Sequence, residues 1–145
     1  MFISEIKNIL DAQTLRKIFN NIREAKFVDG RISGGTERDK YNQELFPESE
    51  KYLDVLRVIE LGVRENPEFN LTAFPRYMTR PIISRYEVGM FYKGHVDKPV
   101  MNFMETKFDL MSGHFSHSYC RELDAGSAVV YPTGRRHQVM PLAQV

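Results

Sequence analysis

The chain has 145 residues, 42% of them hydrophobic and 27% charged, enough for one domain with its own core and too few for two. Its 20 basic and 19 acidic side chains leave a net charge of +1, a balance that gives no electrostatic footprint for nucleic acid or an anionic membrane. No run approaches the ~20 apolar residues of a membrane-spanning helix.

The N-terminal Met1-Phe2-Ile3-Ser4-Glu5-Ile6-Lys7 has no basic start followed by an apolar run, so a signal peptide is not expected. An amphipathic helix is predicted over about 11–25. Asp11 can cap it, and Leu15, Ile18, Phe19 and Ile22 recur at helical spacing. Phe27-Val28-Asp29-Gly30 follows, with Asp-Gly marking a turn, and the polar stretch 31–39, with Gly34-Gly35, reads as a loop. A second helix is predicted over about 49–63. Its apolar candidates are Tyr52, Leu53, Leu56, Ile59 and Leu61, with Val55, Val58 and Val63 widening the surface. Asn66-Pro67 ends it, because the residue before proline is pushed out of helical geometry. Residues 69–80, interrupted by Pro75 and followed by Pro81, suit an edge or connecting role.

From Ile82 the pattern changes. Ile82-Ile83-Ser84-Arg85-Tyr86 reads as a strand, and Gly89 punctuates it before Met90-Phe91-Tyr92. Gly94-His95-Val96-Asp97 comes next; the stretch 101–121 fits no element. Cys120 can close no internal disulfide. A lone cysteine and no signal peptide point to a reducing cytoplasm. Ala128-Val129-Val130-Tyr131 is a second strand, entered through Asp124-Ala125-Gly126 and left through Pro132-Thr133-Gly134. His137-Gln138-Val139-Met140 starts another. Two helices followed by turn-separated strands imply an α+β fold, a helical layer over a mainly β core.

The chemistry gathers at His95-Val96-Asp97 and His137. Residues i and i+2 of a strand share a face, so His95 and Asp97 can address one ion together. With His137 they make two imidazoles and a carboxylate, the ligand set of a non-haem iron(II) oxygenase, which leaves the opposite face of the metal open. Ligation needs neutral imidazoles, so metal binding is expected to weaken as pH falls through the histidine range. His114 and His117 also have a metal-compatible spacing, but no second pair of ligands accompanies them, and a polar loop is the simpler reading. Arg135 and Arg136 read first as a solvated loop pair, with a phosphate or substrate contact as the less favoured reading. Tyr86 and Tyr92 are near enough in sequence to serve a bound carboxylate, or simply to pack.

These residues carry a resemblance. The chain resembles the PKHD-type hydroxylases, a branch of the prolyl-4-hydroxylase-like iron(II)/2-oxoglutarate dioxygenases. Phe27-Val28-Asp29-Gly30-Arg31 is similar to the family's turn after its first helix. Lys40-Tyr41-Asn42-Gln43-Glu44-Leu45 is similar to its Lys-Asn-Asn-Gln segment. Phe74-Pro75, Arg80-Pro81 and the run from Arg85-Tyr86 to Asp97 track its first ligand strand. The run from Leu123 through Tyr131-Pro132 leads to the distal His137.

The resemblance implies a double-stranded β-helix, or jelly roll, with N-terminal helices packed on one side. The whole chain 1–145 would be one domain, helical over about 1–66 and jelly-roll over about 67–145. It implies iron(II) held by His95, Asp97 and His137, with 2-oxoglutarate and O₂ as co-substrates and ascorbate as a reductant. The implied product is a hydroxylated prolyl, other peptidyl or small organic substrate, with succinate and CO₂ released. Two departures accompany it. Asp97 and His137 are closer in sequence than is usual in the family, and no basic residue follows Arg136. The co-substrate's distal carboxylate would then fall to Arg136, with Tyr86 and Tyr92 as hydrogen-bond donors. The alternative is a degenerate relative that binds metal without turnover.

Overall fold

The computed structural model describes residues 3–76, 78, 80–96, 124–131 and 135–141. In chain order these form β1 (Ser4–Ile6), α1 (Ala12–Ile22), β2 (Phe27–Asp29), a short 3-10 helix (Gly30–Ser33), β3 (Lys40–Tyr41) and β4 (Gln43–Leu45). Then come α2 (Glu50–Glu65), α3 (Pro67–Ala73), β5 (Ser84–Arg85), β6 (Phe91–His95), β7 (Ala128–Val130) and β8 (His137–Val139). Asp97, the unassigned stretch 101–121, His114, His117 and Cys120 lie outside the described residues.

Helix α1 begins where its cap directs. Asp11 accepts a 2.7 Å hydrogen bond from the Thr14 amide, satisfying one of the orphan donors of the first turn. The same bond holds the Asp11 carboxyl below its ordinary pKa. The helix ends at Ile22 rather than Ala25, and its buried stripe is narrower than predicted: Ile18 is buried, but Phe19 is 57% exposed. In α2, Tyr52, Val55 and Leu56 are buried, whereas Leu53 and Leu61 face out. The inward face follows the i, i+3, i+4 rule, and neither Leu53 nor Leu61 falls on it.

The stretch predicted as edge or connection contains α3. Asn66 caps this helix, accepting from the Phe69 amide at 2.9 Å, and Pro67 occupies its first turn. Proline is tolerated there because its missing N–H would be unsatisfied anyway. The same Asn66-Pro67 pair that stops α2 thus starts α3. Strands and helices also interleave: β1 to β4 lie before residue 66, in the part expected to be a helical layer.

The described strands pair antiparallel throughout, so the fold is α+β with three helices among the described residues. They form sheets ordered β1-β7, β2-β4-β5 and β3-β6-β8. One core cluster joins Leu45 of β4 to Tyr52 and Leu56 of α2, with Ile22, Ala25, Phe27 and Ile83 packed against it. Residues of α1 and α2 therefore pack against residues of β2 and β4. No helix among the described residues is long and apolar enough to cross a membrane.

Candidate metal centre

Strand β6 pairs with β8 in a register that sets His95 directly opposite His137. Tyr92 opposes Val139, so three steps on β6 match two on β8. This extra residue is a β-bulge, which kinks the strand and re-aims its side chains. In a regular strand, residues three apart face opposite ways. The bulge cancels that alternation, and the Tyr92 ring stacks on the His95 imidazole, centres 3.6 Å apart and planes 17° from parallel.

The two imidazoles lie with ring centres 4.2 Å apart at 61°. The His95 Nδ1 is 2.8 Å from the Lys93 carbonyl, and the His137 Nδ1 is 3.0 Å from the Arg135 carbonyl. A carbonyl oxygen only accepts, so each Nδ1 donates to its carbonyl, the arrangement that suits ligation through Nε2. Second-sphere bonds of this kind orient ligating histidines. Two imidazoles bound side by side to one ion, with metal–nitrogen bonds of roughly 2.1 Å, have centres roughly 4.5 Å apart. The 4.2 Å separation of the His95 and His137 ring centres is of that order. Tyr131 flanks it, its ring centre 5.0 Å from that of His137. Asp97, the expected third ligand, lies outside the described residues, and among those described no group of three His, Cys, Asp or Glu side chains gathers.

Arg136 takes an unexpected place. A Cβ added at Gly94 would meet its Nε at 2.7 Å, so the guanidinium rests on the bare Cα of that glycine.

A second cation, Lys40, lies beside the Tyr92 ring that stacks on His95. Lys40 is the cross-strand partner of Tyr92, and its Nζ lies 4.9 Å from the Tyr92 ring centre. Its three N–H donors go to the Gly30 carbonyl at 2.7 Å, the Ser33 hydroxyl at 2.7 Å and Glu44 Oε1 at 2.6 Å. Ser33 in turn donates to the same Glu44 oxygen at 2.7 Å. Both charged side chains are 4% exposed. The available signal was the spacing of Lys40, Asn42 and Glu44, a polar stripe at every second residue in a segment that turns out to be buried.

Asn42, also buried, lies beside Tyr86. Burial is the main force pushing the Tyr86 phenol above its ordinary pKa. The Asn42 amide works against the rise, and Glu44 and Tyr92 add to it. Tyr86 thus stays a neutral donor across the physiological range.

No family model matches the chain. It is, however, similar over nearly its whole length to proteins called PKHD-type hydroxylases. The one from Synechococcus elongatus is 29% identical, the match covering 98% of this chain and 73% of that protein. The one from Thioalkalivibrio sulfidiphilus is 29% identical over 94% of this chain and 70% of its own length. The one from Cupriavidus pinatubonensis is 28% identical over 96% and 72%. The Synechococcus alignment runs over 163 residues against a chain of 145, so that relative carries residues this chain lacks. Several proteins of one name, the PKHD-type hydroxylases, are thus similar to this chain over 94–98% of its length.

Proposed function

We propose that this protein is an iron(II)- and 2-oxoglutarate-dependent dioxygenase that hydroxylates a C–H bond of a prolyl or other peptidyl residue, with succinate and CO₂ as co-products. The observation that supports it most is the placement of His95 opposite His137, each with Nδ1 engaged by a strand carbonyl. His95 and His137 would hold the metal through Nε2, and Asp97 would complete the set. Bound iron, with 2-oxoglutarate and O₂, supplies the oxidising power, and ascorbate would keep it ferrous; the protein supplies placement.

Placement can be assigned to particular side chains. The two carbonyl bonds fix the tautomer and the swing of each ring. Tyr92 covers one face of the His95 imidazole and limits water there. Tyr86, held neutral by burial, can donate a hydrogen bond to a co-substrate carboxylate, and Arg136, which lies against Gly94 beside His95, would supply the cation for it. In this reading the three small antiparallel sheets are parts of a jelly roll, and the lone cysteine suits work in the cytoplasm.

The test is anaerobic titration with iron(II) and 2-oxoglutarate, followed by admission of O₂ and measurement of succinate. Binding of both, then succinate, is the expected outcome. Iron binding without 2-oxoglutarate binding would replace this reading with a metal-binding relative that does not turn over. Absence of iron binding would leave only an interaction module.

A further inference from the structure

We propose that Lys40 is a positioning residue for the metal centre: fixed by Glu44, Ser33 and Gly30, its ammonium holds the Tyr92 ring flat against the His95 imidazole. A buried ion pair is costly to desolvate and a weak source of stability, so the position of this one asks for another explanation. All three ammonium donors are engaged, which leaves Nζ little freedom. It lies at cation–π distance from Tyr92, where the electron-rich ring face attracts a cation. Tyr92 is in turn stacked on His95. The β6 bulge makes this stack possible, yet a bulge also loosens the strand locally, because one residue is left out of the ladder. An anchor on the adjacent strand, outside the bulge, offsets that looseness. The chain of contacts thus runs from a rigid buried pair, through one aromatic ring, to the angle of a candidate ligand.

This inference rests on reading His95 as a ligand, and its test separates the two. The full-length chain is titrated with cobalt(II) alone and followed by visible absorption. In parallel, the metal-free protein is examined by NMR for the ring-current shift that Tyr92 imposes on the His95 ring protons, assigned through their absence in His95→Ala. The main variant is Lys40→Met combined with Glu44→Leu, because removing both charges strands neither. It is expected to fold by circular dichroism, to lose the ring-current shift, and to bind cobalt roughly tenfold more weakly. Tyr92→Leu should show the same two losses and Tyr92→Phe neither. Should the pair variant not fold, Lys40→Gln, which keeps a hydrogen-bonding end without the cation, takes its place with the same expectations. A retained ring-current shift overturns the proposal, as does a lost shift with unchanged cobalt affinity. If the unaltered protein binds no cobalt, the ligand reading fails, and the NMR comparison still decides whether Lys40 holds the stack.

Discussion

The phenol of Tyr86 shows how one side chain reports its surroundings. Burial favours its neutral form, and the nearby Glu44 carboxylate opposes a second negative charge. The unfolded chain therefore gives up this proton at a lower pH than the folded protein does. Its contribution to stability is whole below the ordinary tyrosine pKa and is lost as pH rises through that value toward the folded one. In an ultraviolet titration Tyr86 should ionise above the ordinary tyrosine range, and Tyr86→Phe should remove that late step. A late step that survives the substitution would place the perturbed phenol elsewhere. At this scale His95 and His137 could be read in the sequence, since their residue types and flanks carry a chemical pattern. Lys40 and Glu44 could not be assigned a role, because their alternating spacing with Asn42 does not by itself say that all three will be buried.

Among the secondary-structure elements, the two long helices were the most legible in the sequence. The 3.6-residue period has room to repeat in α1 and α2, so both were foreseen, with ends displaced by a few residues. The periodicity does not by itself decide which apolar residues face in, and Phe19, Leu53 and Leu61 proved to face out. Strands β1 to β4 span two or three residues each, too few for an alternation to register. They exist because of partners far along the chain, as tertiary pairing overrides local preference. A packing prediction belongs to α2. Leu56, 4% exposed and joined to Leu45 and Tyr52, should cost roughly 2–5 kcal/mol when truncated to alanine. Leu61→Ala, on the outer face, should change stability by no more than about 0.5 kcal/mol. Urea denaturation of the two variants checks the contrast, and equal losses would mean the helix is rotated about its axis.

Across the whole molecule, the decisive pairings are long-range. β1 at one end pairs with β7, its Ile6 fully buried opposite Ala128, and β6 reaches β8 to set the two histidines side by side. Gly126 lies just before β7 at a φ of +82°, its carbonyl accepting from the Leu10 amide, and an added Cβ would come within 2.3 Å of the Leu10 carbonyl oxygen. Glycine alone suits that close left-handed approach. No reading of composition or period reveals which strands meet, so the sequence indicated a mixed fold with a candidate ligand set, while the sheet orders came only from the structure. The central claim is that these pairings converge on one metal. Equilibrium binding of iron(II) under argon to the unaltered chain, His95→Ala, His137→Ala and His114→Ala tests it directly. One ion per chain should bind the unaltered protein and His114→Ala alike, and neither of the other two. Unchanged binding in His95→Ala or His137→Ala, or an equal loss in His114→Ala, would contradict the account.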